Sequence, residues 1–411
     1  MDELKNILYI SYDGMTDPLG QSQVLPYICG LSALGFSFTL ISCEKPQAFA
    51  EKKEIIEKIC KENNIDWRPL PYTKSPPIFS TIKDIYAIKK LAYSLQAQKN
   101  FSIIHCRGYI SAMVGLWMKE KFNTKFLFDM RGFWANEKVD AGAWKLSNPL
   151  FKLVYDFFKK KEIAFFQNAD YTISLTEAGK NEIHSWQQIK NNPIPIQVIP
   201  CCADTALFDY QKTTIAAQKM LQDKLGITEN DFVISYLGSI GTWYMLDEML
   251  DFFAVFLKKK NNAKFLFITG DEHEKIKVTA AEKSIPIDKI IIQKANRTEV
   301  PLYISLSVFS LFFIRPTYSK IASSPTKQAE LMAMGVPIIC NDGVGDTGSL
   351  VQKYASGVAL QSFDTDSYQR AIDQLLATNY DKETLRKGAI YFFDLTKGVE
   401  KYHTVYRKIL Q

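Results

Sequence analysis

The stretch Ser323–Asp346, "SSPTKQAELMAMGVPIICNDGVGD", holds the side chains best suited to chemistry. Ser323, Ser324, Pro325 and Thr326 have the composition of a helix start, because small hydroxyls cap free amides and proline suits the first turn. Backbone N–H groups at such an end favour a phosphate, and Lys327 adds a positive charge beside them. Glu330 follows three residues later on the same side of the helix. A carboxylate there can accept both hydroxyls of a ribose. The plainer alternative is a capped helix in which Lys327 and Glu330 form a surface ion pair.

A second constellation is "FLFDMRGFWANEKVDAGAW", where a strand runs into Asp129 and Arg131, Trp134 and Glu137 follow. One reading is a buried Asp–Arg pair that orders a long connection. The other makes Asp129 or Glu137 the base or orienting group for an acceptor hydroxyl, with Arg131 beside it and Trp134 stacked on a sugar face. Among the four histidines, His105 in "SIIHCRG" also stands at a strand end. A third loop, "YDGMTDPLGQSQV", follows the strand "ILYISY" but lacks G-x-G-x-x-G. A dinucleotide site, and with it a nicotinamide or flavin oxidoreductase, is therefore not expected there.

These loops need elements to hold them. "NILYISY" precedes a helix pattern over Ser22–Leu34, and "SFTLISC" precedes one over Gln47–Glu62. "FSIIHC", "TKFLFDM", "DYTISL" and "IQVIP" continue the alternation. A second cycle starts near Asp231 with "FVISYLGS", a helix over Tyr244–Lys258, "AKFLFITG" and a helix from Asp271. "KIIIQ", a helix near Val300–Ser307, "VFSLFFI", a helix near Lys327–Met334 and "VPIIC" complete it. Strands alternating with helices of this length imply βα units and parallel sheets covered on both faces. The joint falls within Pro200–Asp209, giving domains 1–205 and 206–411. A last helix near 396–411, with Val399, Tyr402, Val405 and Ile409 on one face, is free to pack on either. Two doubly wound α/β halves of this kind place ligands at the carboxyl ends of their strands, in a cleft between them.

Composition agrees with a folded chain. Of 411 residues, 47% are hydrophobic and 23% charged, a globular balance rather than a disordered one. The net charge of +6, from 50 basic and 44 acidic residues, is too mild and too evenly spread for a nucleic-acid binder. Seven cysteines show no metal-ligand spacing, and reduced thiols in a cytoplasm are the simplest account. The opening "MDELKN" is acidic and leads straight into a strand, so no signal peptide is expected. No apolar run reaches the roughly 18 to 20 residues of a membrane span. In "KLSNPLFKLVYDFFKKKEIAFF", Leu150, Leu153, Val154, Phe157 and Phe158 share a helical face ahead of Lys159–Lys161. An ordinary amphipathic helix covering the sheet is the favoured reading. Peripheral contact with an anionic membrane is the other.

The motifs also form an ordered set. "SSPTKQAELMAMGVPI" resembles the nucleotide-sugar site of retaining glycosyltransferases of family 4, which have the GT-B fold of two Rossmann-like domains. "VIPCCADTALF" is similar to that family's linker, "VIPNGVDTxxF". "YLGSIGTWYMLDEML" resembles its "GRLxxxKGxxxLL" loop, and "YDGMTDPLGQSQV" occupies its first glycine-bearing loop. The matches run in order from Tyr12 to Asp346. The resemblance implies a metal-independent transfer from a UDP- or GDP-sugar to a glycan or lipid-linked acceptor, with no further cofactor. Asp364-Thr-Asp366 lies beyond the motif loops and is not read as a metal dyad.

Carried over residue by residue, Glu330 matches the second glutamate of the family's Glu-x7-Glu motif, which holds the ribose. The first falls on Ala322. The arginine and lysine that clamp the diphosphate fall on Ser239 and Tyr244, so Lys327 and Arg315 are the candidates to replace that charge. Ser324, Thr326 and Gly241 would line the diphosphate. Many members have a histidine near the position of Asp129. Gly20 would keep the first loop low beside the sugar, with Gln21 and Ser22 offering amides at a helix start. The expected activity is glycosyl transfer with retention, in the making of bacterial surface polysaccharide at or near the inner face of the membrane. The rivals are a nucleotide-sugar 2-epimerase of the same fold, which needs several carboxylates and histidine around the sugar, and a protein that binds sugar nucleotides or glycans without turning them over.

Overall fold

The computed structural model describes residues 5–271 and 273–411; the first four residues of the acidic opening, and residue 272 in the expected helix from Asp271, lie outside them. The chain divides into two compact units. The first comprises Met1–Pro200 with Leu395–Gln411, and the second Cys201–Asp394.

The first unit is built on a parallel sheet of seven strands in the order β3-β2-β1-β4-β5-β6-β7. They are β1 (Lys5–Ser11), β2 (Phe36–Glu44), β3 (Ile65–Pro71), β4 (Ile103–Arg107), β5 (Lys125–Asp129), β6 (Tyr171–Ser174) and β7 (Ile196–Val198). Helices cover the sheet, so its central strands read as unbroken apolar runs, and Ile7 to Ile10 are buried throughout. The second unit holds six parallel strands in the order β10-β9-β8-β11-β12-β13. These are β8 (Phe232–Leu237), β9 (Ala263–Ile268), β10 (Ile290–Gln293), β11 (Phe309–Leu311), β12 (Ile338–Asn341) and β13 (Gly357–Leu360). Both units are thus Rossmann-like. In each, the order reverses beside the first strand, leaving a crevice at the carboxyl ends of β1 and β4 and another at those of β8 and β11.

The helix Leu395–Leu410 belongs to the first unit and buries Val399, Tyr402, Val405, Tyr406 and Ile409. It lies close on Leu25–Ala33 because Gly30 has no side chain there: a Cβ would sit 2.7 Å from Val399 Cγ2.

Three expected helices are corrected. Ser22–Leu34 is two helices, Pro18–Gln23 and Leu25–Ala33, broken at Val24. Pro26 explains the break, since it has no N–H to donate and its ring clashes with the preceding turn. The helix expected from Tyr244 starts at Leu246, because Tyr244 is held in an antiparallel bridge with Ile314. The one near Val300–Ser307 ends at Ile304. On the long helix Pro149–Asn168, the five apolar residues do not share a buried face. Phe158 is buried, whereas Leu150, Leu153 and Phe157 are 55%, 68% and 44% exposed. The inward face is carried further along by Phe165 and Phe166. No described helix is long and apolar enough to cross a membrane, and all seven cysteines are free.

Candidate functional site

In the second unit, the crevice at β8 and β11 gathers the motif loops. Lys327, in the first turn of the helix Thr326–Ala333, is buried (7% exposed). Its ammonium lies 3.7 Å from the ring centre of Tyr244, 4.4 Å from Tyr236 and 5.7 Å from Phe312. One N–H donates to the Tyr236 hydroxyl at 3.2 Å. Among the described residues it makes no ion pair, and burial, opposed only by the charge of Glu330, pushes it down to about 7. The alternative of a Lys327–Glu330 surface pair is therefore not what forms. Glu330 is itself buried and accepts from Arg297 Nη1 at 2.6 Å. Burial pushes its carboxyl up and the arginine opposes that. Arg297 in turn lies over the Phe208 ring at 4.4 Å.

The loop after β8 rests on this lysine. Gly238 adopts φ +116°, which disfavours a side chain, and a Cβ there would stand 3.0 Å from Lys327 Nζ, so the lysine tip would have to shift to admit one. The Ser239 carbonyl accepts from the Tyr236 hydroxyl. The Ile240 amide donates to Asp271 Oδ2 at 2.6 Å, which ties the loop after β8 to the one after β9. Gly241 has open space around it, and its carbonyl accepts from the Tyr244 amide. The Arg315 amide donates to the Trp243 carbonyl at 2.9 Å, while its side chain is exposed. The hydroxyl caps expected at Thr326 are not made: Pro325 is the N-cap, and Ser324 Oγ instead accepts from the Cys201 amide at 3.2 Å. Ala322 is fully buried.

Ser239, Gly241, Tyr244, Arg315, Ser324, Thr326, Lys327 and Glu330 thus all lie on the loops at the carboxyl ends of one sheet or on the helix start beside them. Sequence reasoning missed Tyr236, Asp271 and Arg297. The first is an inward residue of a strand, and nothing in local spacing ties the others to this site. An arginine after the run "KIIIQ" was the available signal for Arg297.

In the first unit, Asp129 ends β5 and is fully buried. Its Oδ2 accepts from Tyr402 at 2.9 Å and lies 3.4 Å from His105 Nε2, whose Nδ1 meets the Tyr406 hydroxyl at 2.7 Å. Arg131, in the left-handed region at φ +60°, places Nη1 3.7 Å from Asp129 Oδ1. Burial alone would raise this carboxyl, but Arg131, then His105 and Arg107, hold it down to about 2. Burial conversely lowers His105, against the pull of Asp129. So weak a base suits orientation better than proton removal. Glu137 sits in the first turn of the helix Trp134–Asp140. Trp134, expected to meet a sugar, packs against Tyr109, Trp144 and Phe158.

Gly20 lies inside the helix Pro18–Gln23, where a Cβ would stand 2.2 Å from the Gly14 carbonyl oxygen. Its lack of a side chain thus serves the fold of the loop itself. Gln21 Nε2 closes that turn on the Thr16 carbonyl at 2.8 Å. Glu44, at the end of β2, accepts from the Met15 amide at 2.7 Å, the Thr16 amide at 3.1 Å, Thr16 Oγ1 at 2.6 Å and Ser42 Oγ at 2.5 Å. Among the described residues, no three His, Cys, Asp or Glu side chains converge as a metal site requires.

Comparison with known proteins agrees with this architecture. Residues 23–207 match the family model described as Glycosyltransferase Family 4, and residues 218–390 match Glycosyl transferases group 1. No curated protein matches the chain. Among solved structures, sucrose-phosphate synthase from Thermosynechococcus elongatus is 16% identical with TM-score 0.73, covering 98% of this chain and 99% of that one. A glycosyltransferase from Rickettsia africae ESF-5 is 16% identical with TM-score 0.73, covering 99% of both. HepE from Anabaena, solved with UDP and glucose, is 11% identical with TM-score 0.71, covering 98% and 100%. At such identities the likeness is one of fold, and that fold is GT-B.

Proposed function

We propose that this chain, a glycosyltransferase of the GT-B type with a family 4 half and a group 1 half, moves a sugar from a nucleoside-diphosphate donor to an acceptor hydroxyl with retention at the anomeric carbon. The second half, 206–411 less its final helix, holds the donor. The first half, 1–205, shapes the acceptor site. The observation that carries the reading is the buried ammonium of Lys327, which makes no ion pair among the described residues, at the strand-order reversal, under the glycine loop and one turn from Glu330.

A departing diphosphate needs cationic and N–H donors already in place where its charge develops. Lys327, the exposed Arg315 and the amides at Thr326 and Gly241 are assigned that role. Glu330 is assigned the ribose hydroxyls, with Arg297 fixing its carboxylate. In the first half, Asp129 and Arg131 orient the acceptor with Glu137 nearby, so that positioning and electrostatics supply the rate. The donor is a UDP- or GDP-sugar; support for a uridine donor comes from HepE, which was solved with UDP and glucose. The setting is cytoplasmic assembly of bacterial surface polysaccharide. Leu150, Leu153 and Phe157, exposed ahead of Lys160, support peripheral contact with an anionic membrane and hence a lipid-linked acceptor.

The test is turnover of radiolabelled donors, taken from a panel of nucleotide sugars, in the presence of lipid extract. Transfer of label to lipid or glycan is the expected result. The second reading, a protein that binds sugar nucleotides without turnover, is favoured by Ala322, which removes the usual carboxylate near the sugar ring. Binding across the panel with neither transfer nor hydrolysis would establish it instead.

A further inference from the structure

The first unit has its own strand-order reversal, between β1 and β4, and open parallel sheets take ligands at such points. Arg107 ends β4, in register with Ser11 of β1 on one side and Asp129 of β5 on the other. It is 5% exposed, and two of its guanidinium nitrogens, Nε and Nη1, have no hydrogen-bond partner. Its ion pair among the described residues is with Asp13, in the loop after β1, at 3.6 Å from Nε; that carboxylate is half exposed.

Arginine carries five donors and keeps its charge at any physiological pH. A buried guanidinium with unmet donors is therefore costly until something completes it. The surroundings do not. Asp129 is shared with Arg131, His105 and Tyr402, so two arginines stand against one fully buried carboxylate. Glu44 is saturated by the loop it holds. Tyr9 meets the guanidinium only as a neutral phenol, raised by burial. Ser111, in the first turn of the helix Gly108–Phe122 that Arg107 caps, is also buried with an unpaired hydroxyl. Asp13 is tied to its neighbours through its carbonyl, which accepts from Ser11 Oγ at 2.9 Å, so its side chain can swing away without moving the loop.

We infer that Arg107, with Ser111, forms an oxyanion site in the first unit, which receives a phosphate or carboxylate group that displaces the Asp13 side chain. Calling that group part of the acceptor rests on the glycosyl-transfer reading; the site itself does not. An anionic acceptor would thereby be anchored at the strand end next to Asp129 and Arg131.

The experiment is calorimetric titration of the full-length protein, with nucleoside diphosphate in excess to fill the donor site. Inorganic phosphate, pyrophosphate and glucuronate are added separately. At least one should bind, phosphates best for a phosphorylated acceptor and glucuronate best for an acidic sugar. Arg107→Met should lose roughly tenfold or more in that affinity. Asp13→Asn, an exposed and harmless change, should strengthen it severalfold by removing the competing carboxylate. Arg107→Met should melt no lower than the wild type, since it removes a buried cation that has two unmet donors and, among the described residues, a single long ion pair to a half-exposed carboxylate. Failure of all three anions to bind, equal affinity in Arg107→Met, no gain in Asp13→Asn, or a large fall in Tm would each overturn the site. Failure of the nucleotide to bind would count against the donor reading alone, because the Arg107-dependent signal is read independently of it.

Discussion

The ammonium of Lys327 lies 3.7 Å from the ring centre of Tyr244. Tyr244 stands where the family resemblance implies a diphosphate-clamping lysine, and on the proposed reading Lys327, from the helix packed against the loop, takes over that charge. A ring face attracts a desolvated cation by about 2 kcal/mol, but it does not neutralise it. Such a cation stays available to a diphosphate.

This gives donor binding a pH dependence with a definite sign. Lys327 is pushed down to about 7 by burial. The groups facing it are Tyr236 and Tyr244, both kept neutral by burial, and Glu330, already paired with Arg297. Bound diphosphate favours the ammonium, so above about pH 7 the complex holds more protons than the free protein. Affinity for a nucleoside-diphosphate sugar should then fall as pH rises from about 7, by up to roughly tenfold per unit. Calorimetry in buffers of different ionisation enthalpy should show proton uptake near pH 8. The unliganded protein should show the opposite trend and gain stability above about pH 7, because the unfolded chain keeps the proton. A flat affinity profile, or the same slope in Lys327→Gln, contradicts this role.

Glu330→Ala should weaken nucleotide binding by about tenfold through loss of charged hydrogen bonds to the ribose. Its Tm should move no more than after a surface change, because the arginine released is 44% exposed and water can solvate it. UDP and GDP affinities equal to those of the wild type would remove the ribose contact from the account.

Tyr402→Phe deletes the donor to Asp129 and should cost about 2 kcal/mol in denaturant unfolding of the first unit. Because Asp129 is held down to about 2 from an ordinary 3.8, its contribution is complete above that ordinary value and is lost as pH falls through about 2. The deficit of the variant should therefore be full at neutral pH and shrink as pH falls through about 2. Matching unfolding curves at neutral and acid pH would show that the bond carries no stability.

Two glycines separate fold from binding. Gly20→Ala places a Cβ 2.2 Å from the Gly14 carbonyl and 2.6 Å from Met15 Cα, both backbone atoms. It should destabilise by about 1–3 kcal/mol. Gly241→Ala meets nothing within 4 Å and should leave Tm unchanged. Any loss of donor affinity in Gly241→Ala then reports on approach of the diphosphate. Equal melting of Gly20→Ala and the wild type would show that the first loop tolerates the side chain.

Much of the architecture was legible because alternation of apolar runs and helix periods is a local property of the chain. Both parallel sheets and most helices follow from it. The break at Val24 was written in Pro26 and read past, since the apolar spacing of Val24, Ile28 and Leu31 continues across it. Glu330 and Lys327 were visible from their place in a motif. Their partners were not. The spacing suggested that they pair with each other, whereas burial of the whole helix face removes the water that would make such a surface pair cheap.

By itself, then, the sequence determined two βα cycles, the loops at their strand ends and the types of side chain those loops present. Tertiary structure alone decided which charges meet. Arg297 reaches Glu330 across 33 residues and Tyr402 reaches Asp129 across 273, while among the described residues Lys327 is left without an ion pair and Arg107 with two unmet donors. The physical reason is that pairing depends on which strand ends become neighbours. The strength of each pair depends on how completely the packed sheets exclude water, and neither quantity exists until the sheets have formed.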